Sequence, residues 1–313
     1  MTVDVARFTR VDVDLVAPES PRWHDGAFWF SDYFRKTINR MVPGQPAQVV
    51  LTLDDSPAAT GFMPDNSLLF ASMQKRKLFR LRDGEVSLHA DLSHVDGQWL
   101  NDMVVDGDGR TYVGTRTTKV SPAVHHTAPG GPDALVIVEP DGQSMSVVED
   151  ICSPNGCSVS ADGRTFTLAE IYARRIIRFD RDEQGRLSNK RTLVEFDKVW
   201  PDGIAIDADG GVWACSPYSG EVVHVTADGR VDRQLALPGA VACCLGGDDR
   251  STLYVVATDV RRLPTSDPAE PHGSQYKGPG HEDQPKRSPD DPREVDTSGL
   301  YTMRVDARGA GWP

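Results

Sequence analysis

The stretch MVVDGDGRTYVGT, residues 103–115, decides the fold: it joins two extended, strand-like runs through an Asp-Gly turn. Asp-Gly between two such runs is a strong β-hairpin signal. Two such runs joined by a turn of Asp, Asn or Gly occur six times, the other copies being SPRWHDGAFWFSD (20–32), GFMPDNSLLFASM (61–73), CSVSADGRTFTLAE (157–170), IAIDADGGVWACS (204–216) and CLGGDDRSTLYVVAT (244–258). The acidic residues at or beside these turns are spaced by 40, 43, 54, 47 and 39 residues and are Asp25, Asp65, Asp108, Asp162, Asp209 and Asp248.

Further strand-like runs follow these hairpins, for example at 77–81 and 222–225. A repeat of about 45 residues that holds four short strands is typical of a β-propeller blade. No long window has the 3.6-residue period of a helix. The sequence therefore predicts an all-β fold, a single six-bladed β-propeller domain over residues 1–313. Val11–Val16 and Gly299–Val305 are both strand-like, and we expect them to pair in one blade. A meander or sandwich with fortuitous turns is the alternative.

Composition narrows the function classes. The chain has 313 residues, a formal net charge of −12 and a pI near 5.1. A nucleic-acid or anionic-membrane binder needs a basic face, so we expect neither partner. The N-terminal MTVDVARFTRVDVDLV has acidic residues where a signal peptide has an apolar core, which indicates a cytoplasmic protein. We expect a monomer or homodimer.

One segment departs from the repeat. Residues 264–298 contain 7 of the 22 prolines and 12 charged residues, but only three hydrophobic ones. Such a composition cannot pack a core, so a long loop insertion is predicted. It is either a surface excursion or a lid over the site that carries His272, Tyr276 and His281.

Polar residues share one register of the repeat. Asn101, Asn155 and Asp202 each lie seven residues before the acidic turn residue of their repeat. Glu19 lies six residues before the acidic turn residue Asp25. Equivalent positions of a propeller form a ring around its axis, so these side chains should converge. Oxygen donors suit a hard cation, best Ca²⁺, with Mg²⁺, Mn²⁺ or Zn²⁺ as alternatives. The sequence thus predicts a central metal site, although Asn155-Gly156 and Asp202-Gly203 are also ordinary turn dipeptides.

The sequence also resembles the gluconolactonase, regucalcin (senescence marker protein) and luciferin-regenerating-enzyme-like family over essentially its whole length. The resemblance implies a six-bladed propeller with one divalent cation held by Glu19, Asn155 and Asp202. It also implies that Asn101 contacts the substrate or a metal-bound water. The motifs that carry it are ESPRW (19–23), LND (100–102), SPNG (153–156), PDGIAID (201–207), CCLGG (243–247) and GLY (299–301).

Two positions depart from the pattern of the family's sugar lactonases. Trp99 stands where the sugar-binding members have an arginine, and RTTK (116–119) stands where they have an acidic residue. A tryptophan at the mouth of a pocket favours an apolar or aromatic acyl group. Packing between loops is the alternative role for Trp99.

These residues predict a metal-dependent hydrolase that opens a lactone to a hydroxy acid. The cation would polarise the carbonyl while Asp202 activates water as general base. Asn101 is the second catalytic candidate, and Asn101, Trp99 and Asp102 are the candidate substrate-binding residues. The expected partner is a small-molecule lactone or ester. Alternatives are an organophosphate or aryl-ester hydrolase on the same site, a pathway enzyme for a bulky substrate, and a non-catalytic cation-binding propeller.

Overall fold

A computed structural model of the chain describes residues 7–116, 133–143, 145–259 and 298–310. Within these ranges the regular elements are twenty-four β-strands, arranged as six four-stranded antiparallel sheets. The first three blades consist of β2 (Pro18–His24), β3 (Ala27–Asp32), β4 (Thr37–Met41) and β5 (Gln48–Thr52); β6 (Pro57–Phe62), β7 (Leu68–Ser72), β8 (Lys77–Arg82) and β9 (Glu85–Asp91); and β10 (Trp99–Val105), β11 (Thr111–Arg116), β12 (Leu135–Val138) and β13 (Met145–Val148).

The remaining blades include one built from both ends of the chain. They consist of β14 (Pro154–Val159), β15 (Thr165–Glu170), β16 (Arg175–Arg181) and β17 (Leu187–Glu195); β18 (Ile204–Ile206), β19 (Val212–Ser216), β20 (Glu221–Val225) and β21 (Val231–Ala236); and β22 (Ala240–Gly246), β23 (Thr252–Ala257), β24 (Gly299–Arg304) and β1 (Thr9–Val11). The six-bladed propeller predicted from the repeat is therefore confirmed.

The two ends of the chain pair as expected, but with a different N-terminal strand. Thr9–Val11, rather than Val11–Val16, pairs with β24, and Val11 opposite Leu300 is the last pair. The chain then leaves the sheet, and farther on the carboxylate of Asp32 accepts hydrogen bonds from the backbone N–H groups of Val16 (2.8 Å) and Ala17 (3.3 Å). These bonds direct the chain into blade 1, so the predicted strand was placed too far along the sequence.

The first strands of the six blades contact one another in a closed ring around the axis. Six hydrophobic clusters lie between successive pairs of blades, as in the cluster of Trp23, Phe28 and Tyr254 between blades 1 and 6. Burial of apolar surface is the dominant favourable term in folding, and here it joins neighbouring blades instead of forming one central core. The axis is thus left for polar side chains.

Each inner strand starts at one face of the ring and ends in its Asp-Gly-type hairpin at the other. At the hairpin face the last described residues cross beneath the axis. The N–H of Gly309 donates to Arg250 O (2.9 Å) and that of Ala310 to Ile206 O (3.0 Å). Both residues line a small axial cavity of about 40 Å³.

The described residues contain no helix of the length and apolar character that a bilayer span requires. The predicted loop at 264–298 and its lid residues lie outside the described residues, apart from Ser298.

Candidate metal centre on the propeller axis

The polar ring coincides with irregularities in the inner strands. The β10–β11 ladder shifts register between Leu100 and Met103, which places Asn101 and Asp102 in a bulge. The β14–β15 ladder shifts in the same way between Pro154 and Cys157, around Asn155. Bulges redirect side chains and are common beside active sites. Asn155-Gly156 is therefore part of a strand and not a turn.

Glu19 occupies the ladder position just before the corresponding bulge of blade 1. It pairs with Ser31, and the register shift follows between Glu19 and Arg22. This position lies one residue farther from the hairpin than that of Asn101, but the turn acid Asp25 follows the ladder two residues sooner than Asp108 does, so the offset of Glu19 is shorter by one. The charges of Asp102 and Asp202, from two other blades, both raise the pKa of this carboxyl group.

A glycine, Gly156, allows blades 4 and 5 to approach closely at the ring. The N–H of Gly156 donates to Asp202 O (3.1 Å), and that of Asp202 donates to Cys215 O (2.8 Å). A Cβ on Gly156 would lie 2.6 Å from Asp202 O and 2.4 Å from the backbone nitrogen of Ile204. Only glycine fits this approach, which brings the side chain of Asn155 into hydrogen-bonding contact with Asp202.

The two carboxylates of the predicted ligand set repel one another in a partly buried recess. Burial raises the pKa of Glu19 well above its usual range, and the charges of Asp202 and Asp102 raise it further. Burial and the charge of Asp102 likewise raise the pKa of Asp202 to about 7. Excess negative charge at a set of oxygen donors is the condition that a divalent cation relieves. The residues present therefore fit such an ion.

The donor set is mixed. In the part of the chain that the structure describes, no group of three or more His, Cys, Asp or Glu side chains is arranged to hold a metal. The candidate centre thus depends on the carboxamide of Asn155 beside the carboxylates of Glu19 and Asp202. All three side chains are half-buried.

Asn101 and Asp102 are each held by a neighbouring blade. Asn101 Nδ2 donates to Pro154 O (2.9 Å), which joins blade 3 to blade 4. Asp102 Oδ1 accepts from Arg22 Nη2 (3.2 Å) and from the N–H of Met103 (2.8 Å). Asn101 is thus fixed at the ring, whereas Asp102 is engaged in an ion pair with blade 1.

Trp99 lies in the hydrophobic cluster between blades 2 and 3 and is only 4% exposed. The guanidinium of Arg116, its partner across the ladder, stacks on the ring at 5.3 Å. Arg116 also favours the ionised forms of Glu19 and Asp202. Packing is therefore a role that the structure gives to Trp99, and its contact with substrate stays a prediction.

An aromatic cluster that was not predicted from the sequence lies at the same face of the ring. Trp200, two residues before Asp202, meets Tyr172 edge-on at 6.4 Å and Tyr218 at 5.7 Å. Arg174 lies over the Trp200 ring at 5.4 Å. The repeat could have revealed this cluster, because Tyr172 and Tyr218 each stand two residues after the second strand of their blade.

The fold and the ring define a class: six-bladed propellers whose axis carries carboxylate and carboxamide donors at one face. Residues 17–259 match the model of the SMP-30/Gluconolactonase/LRE-like region, and the chain belongs to this family. Regucalcin of Oryctolagus cuniculus is 29% identical over 263 residues, covering 78% of this chain and 86% of the relative.

Solved structures agree with the fold. A calcium-binding protein, regucalcin, from Agrobacterium tumefaciens superposes with a TM-score of 0.75 at 19% identity, covering 99% of this chain and 97% of the other. A gluconolactonase from Xanthomonas campestris superposes with a TM-score of 0.68 at 18% identity, covering 80% of this chain and 86% of the other.

Proposed function

We propose that this protein is a metal-dependent hydrolase that opens a lactone to a hydroxy acid. The observation that carries the proposal is the convergence of Glu19, Asn155 and Asp202, from three different blades, around one half-buried recess. Family membership supports a lactonase-type activity, since one of the structural relatives is described as a gluconolactonase.

Glu19, Asn155 and Asp202 would hold the cation, best Ca²⁺, with Mg²⁺, Mn²⁺ or Zn²⁺ as alternatives. When bound, the ion supplies Lewis-acid polarisation of the ester carbonyl. Asp202 takes the proton of the attacking water on a carboxylate oxygen, a role that typically contributes 10²–10⁴-fold to the rate. Asn101, fixed by its bond to Pro154 O, orients the substrate or the water. The ring opens when the alkoxy oxygen leaves and is protonated, giving the hydroxy acid.

The surroundings of the ring favour a substrate with an apolar or aryl group over a polyhydroxylated sugar. Trp99 replaces the arginine of the sugar-binding members, so this position offers no guanidinium to sugar hydroxyls, and its ring packs between blades 2 and 3. The aromatic cluster of Tyr172, Trp200 and Tyr218 adds half-buried ring surface next to Asp202 along the chain. Aromatic surface of this kind stabilises apolar and aromatic ligand groups.

A cation-binding propeller without turnover is the second candidate, favoured by the description of the Agrobacterium relative as a calcium-binding protein. Hydrolysis of an aryl ester or an organophosphate on the same site would use the same polarisation of an oxygen. A cytoplasmic location and a monomeric or homodimeric state remain predictions from the sequence.

Removal and return of the metal tests the proposal. Chelator-treated protein is given Ca²⁺, Mg²⁺, Mn²⁺ or Zn²⁺ separately and assayed by proton release with aldonolactones, aliphatic lactones, aryl esters and an organophosphate. Asp202→Asn should abolish turnover, whereas Asp209→Asn, an exposed turn residue of the same blade, should not. Tight cation binding without turnover on any substrate would favour the second candidate. Turnover that survives both chelation and Asp202→Asn would contradict the mechanism.

A further inference from the structure

A guanidinium lies buried on the axis beside the candidate metal centre. Arg22, on β2 three residues after Glu19, is 8% exposed and lines the axial cavity. Its Nη1 donates to Pro21 O (2.9 Å), and its Nη2 donates to Asp102 Oδ1 (3.2 Å) and Met103 O (2.5 Å). Its Nε is buried without a hydrogen-bond partner.

Packing alone does not explain this residue. Removing a guanidinium from water is costly, and a buried ion pair is often no more stabilising than apolar side chains of similar volume. A methionine or leucine would fill the same space without leaving a buried N–H unpaired, which costs about 1–3 kcal/mol. The retention of a charge here therefore indicates a role in the electrostatics of the axis.

The role follows from the carboxylates at the ring. Glu19, Asp102 and Asp202 are close enough for the charge of Asp102 to act on both of the others. Of these three carboxylates, Arg22 forms an ion pair only with that of Asp102, at 3.2 Å. Without its ion pair, the charge of Asp102 would add to the negative potential at Glu19 and Asp202, and a more negative site favours a trivalent ion over a divalent one.

We propose that Arg22 is a positioning residue that sets the charge of the candidate cation site. By pairing with Asp102, it offsets one negative charge beside the proposed donors Glu19 and Asp202, in addition to the charge of Arg116, and so keeps the site from favouring an ion of higher charge. The inference rests on the proposed cation site but not on turnover. According to this proposal, a buried arginine of the inner strand gives the site its preference for a divalent over a trivalent ion.

Competition between Tb³⁺ and Ca²⁺ for the full-length protein tests this proposal, with Tb³⁺ luminescence as the readout. Arg22→Met should raise the ratio of Tb³⁺ to Ca²⁺ affinity on the order of tenfold, because the trivalent ion gains more from an extra negative charge. Arg22→Lys keeps the charge and should retain the wild-type ratio. The double variant Arg22→Met/Asp102→Asn removes both charges and should restore it. Thermal unfolding of each variant establishes that it is folded.

The outcomes separate the two proposals. An unchanged ratio in folded Arg22→Met, or a shift that persists in the double variant, would overturn the role of Arg22 while leaving the cation site intact. If wild-type protein binds neither ion, the cation site and the role of Arg22 are both wrong. Binding and the expected shift without hydrolysis of any ester would support Arg22 and count only against the lactonase.

Discussion

The substitution Gly156→Ala tests whether the close approach of blades 4 and 5 assembles the candidate metal centre. The new Cβ would lie 2.6 Å from Asp202 O, about 0.8 Å inside the 3.4 Å at which ordinary contact begins. The obstructing atoms are backbone, so the strands must separate. Metal–ligand distances tolerate only about 0.2 Å. We therefore expect a loss of cation affinity of at least about 100-fold, because Asn155 moves away from Asp202.

The same change should also destabilise the fold. Overpacking costs about 1–3 kcal/mol, and weakening the bond from Gly156 N–H to Asp202 O adds about 1 kcal/mol. Urea unfolding measures this cost, and calorimetric titration with Ca²⁺ measures affinity at a temperature where the variant is folded. Gly84→Ala is the control: this turn glycine at φ +82° has no atom within 4 Å of an added Cβ, so strain lowers its stability without changing cation affinity. Wild-type affinity in folded Gly156→Ala would refute the reasoning.

Three further predictions concern other parts of the molecule. Burial opposes protonation of His224, but its hydrogen bonds to Asp207 and Asp232 raise its pKa above the usual value. The stabilisation of the fold by these two bonds is therefore fully present below about pH 6.5 and is lost as pH rises through the raised pKa of His224. The urea midpoint of the wild-type protein should fall over that pH range. The same fall in the variant His224→Gln would disprove the prediction. Deleting residues 2–11 removes β1 and should lower the free energy of unfolding by about 3–5 kcal/mol. An unchanged urea midpoint in this variant would contradict the prediction. Trp200→Ala should lower kcat/KM for aryl esters by about threefold to tenfold relative to aliphatic lactones, and an equal effect on both would exclude a role in selectivity.

The sequence was sufficient for the architecture because a repeated local signal encodes it. Asp-Gly hairpins set the number of blades, and the shared offset of Asn101, Asn155 and Asp202 located the ring. The N-terminal strand was less certain, since Val11–Val16 is as strand-like as Thr9–Val11. The side chain of Asp32, which accepts the hydrogen bonds from Val16 and Ala17, comes from a different strand of another blade.

Contacts between blades were beyond sequence reasoning. Arg22 is separated from Asp102 by 80 residues, and nothing in the local pattern of β2 shows that the two form an ion pair. From the local sequence, Gly156 could be interpreted as part of a turn. In the structure, a glycine is needed there because the backbone of Asp202 and Ile204 leaves no room for a Cβ. Such requirements arise from the spacing of neighbouring inner strands, which the repeat itself does not specify.

The blade made from both ends of the chain has a consequence for synthesis. Glu19 is synthesised well before Asn155 and Asp202, which lie in blades 4 and 5, and β24, which closes the ring, follows all three in chain order. Until β24 has been synthesised, the nascent chain carries Glu19 without a closed ring around the axis. Loading of the proposed cation site is accordingly expected only after β24 has been made and has paired with β1.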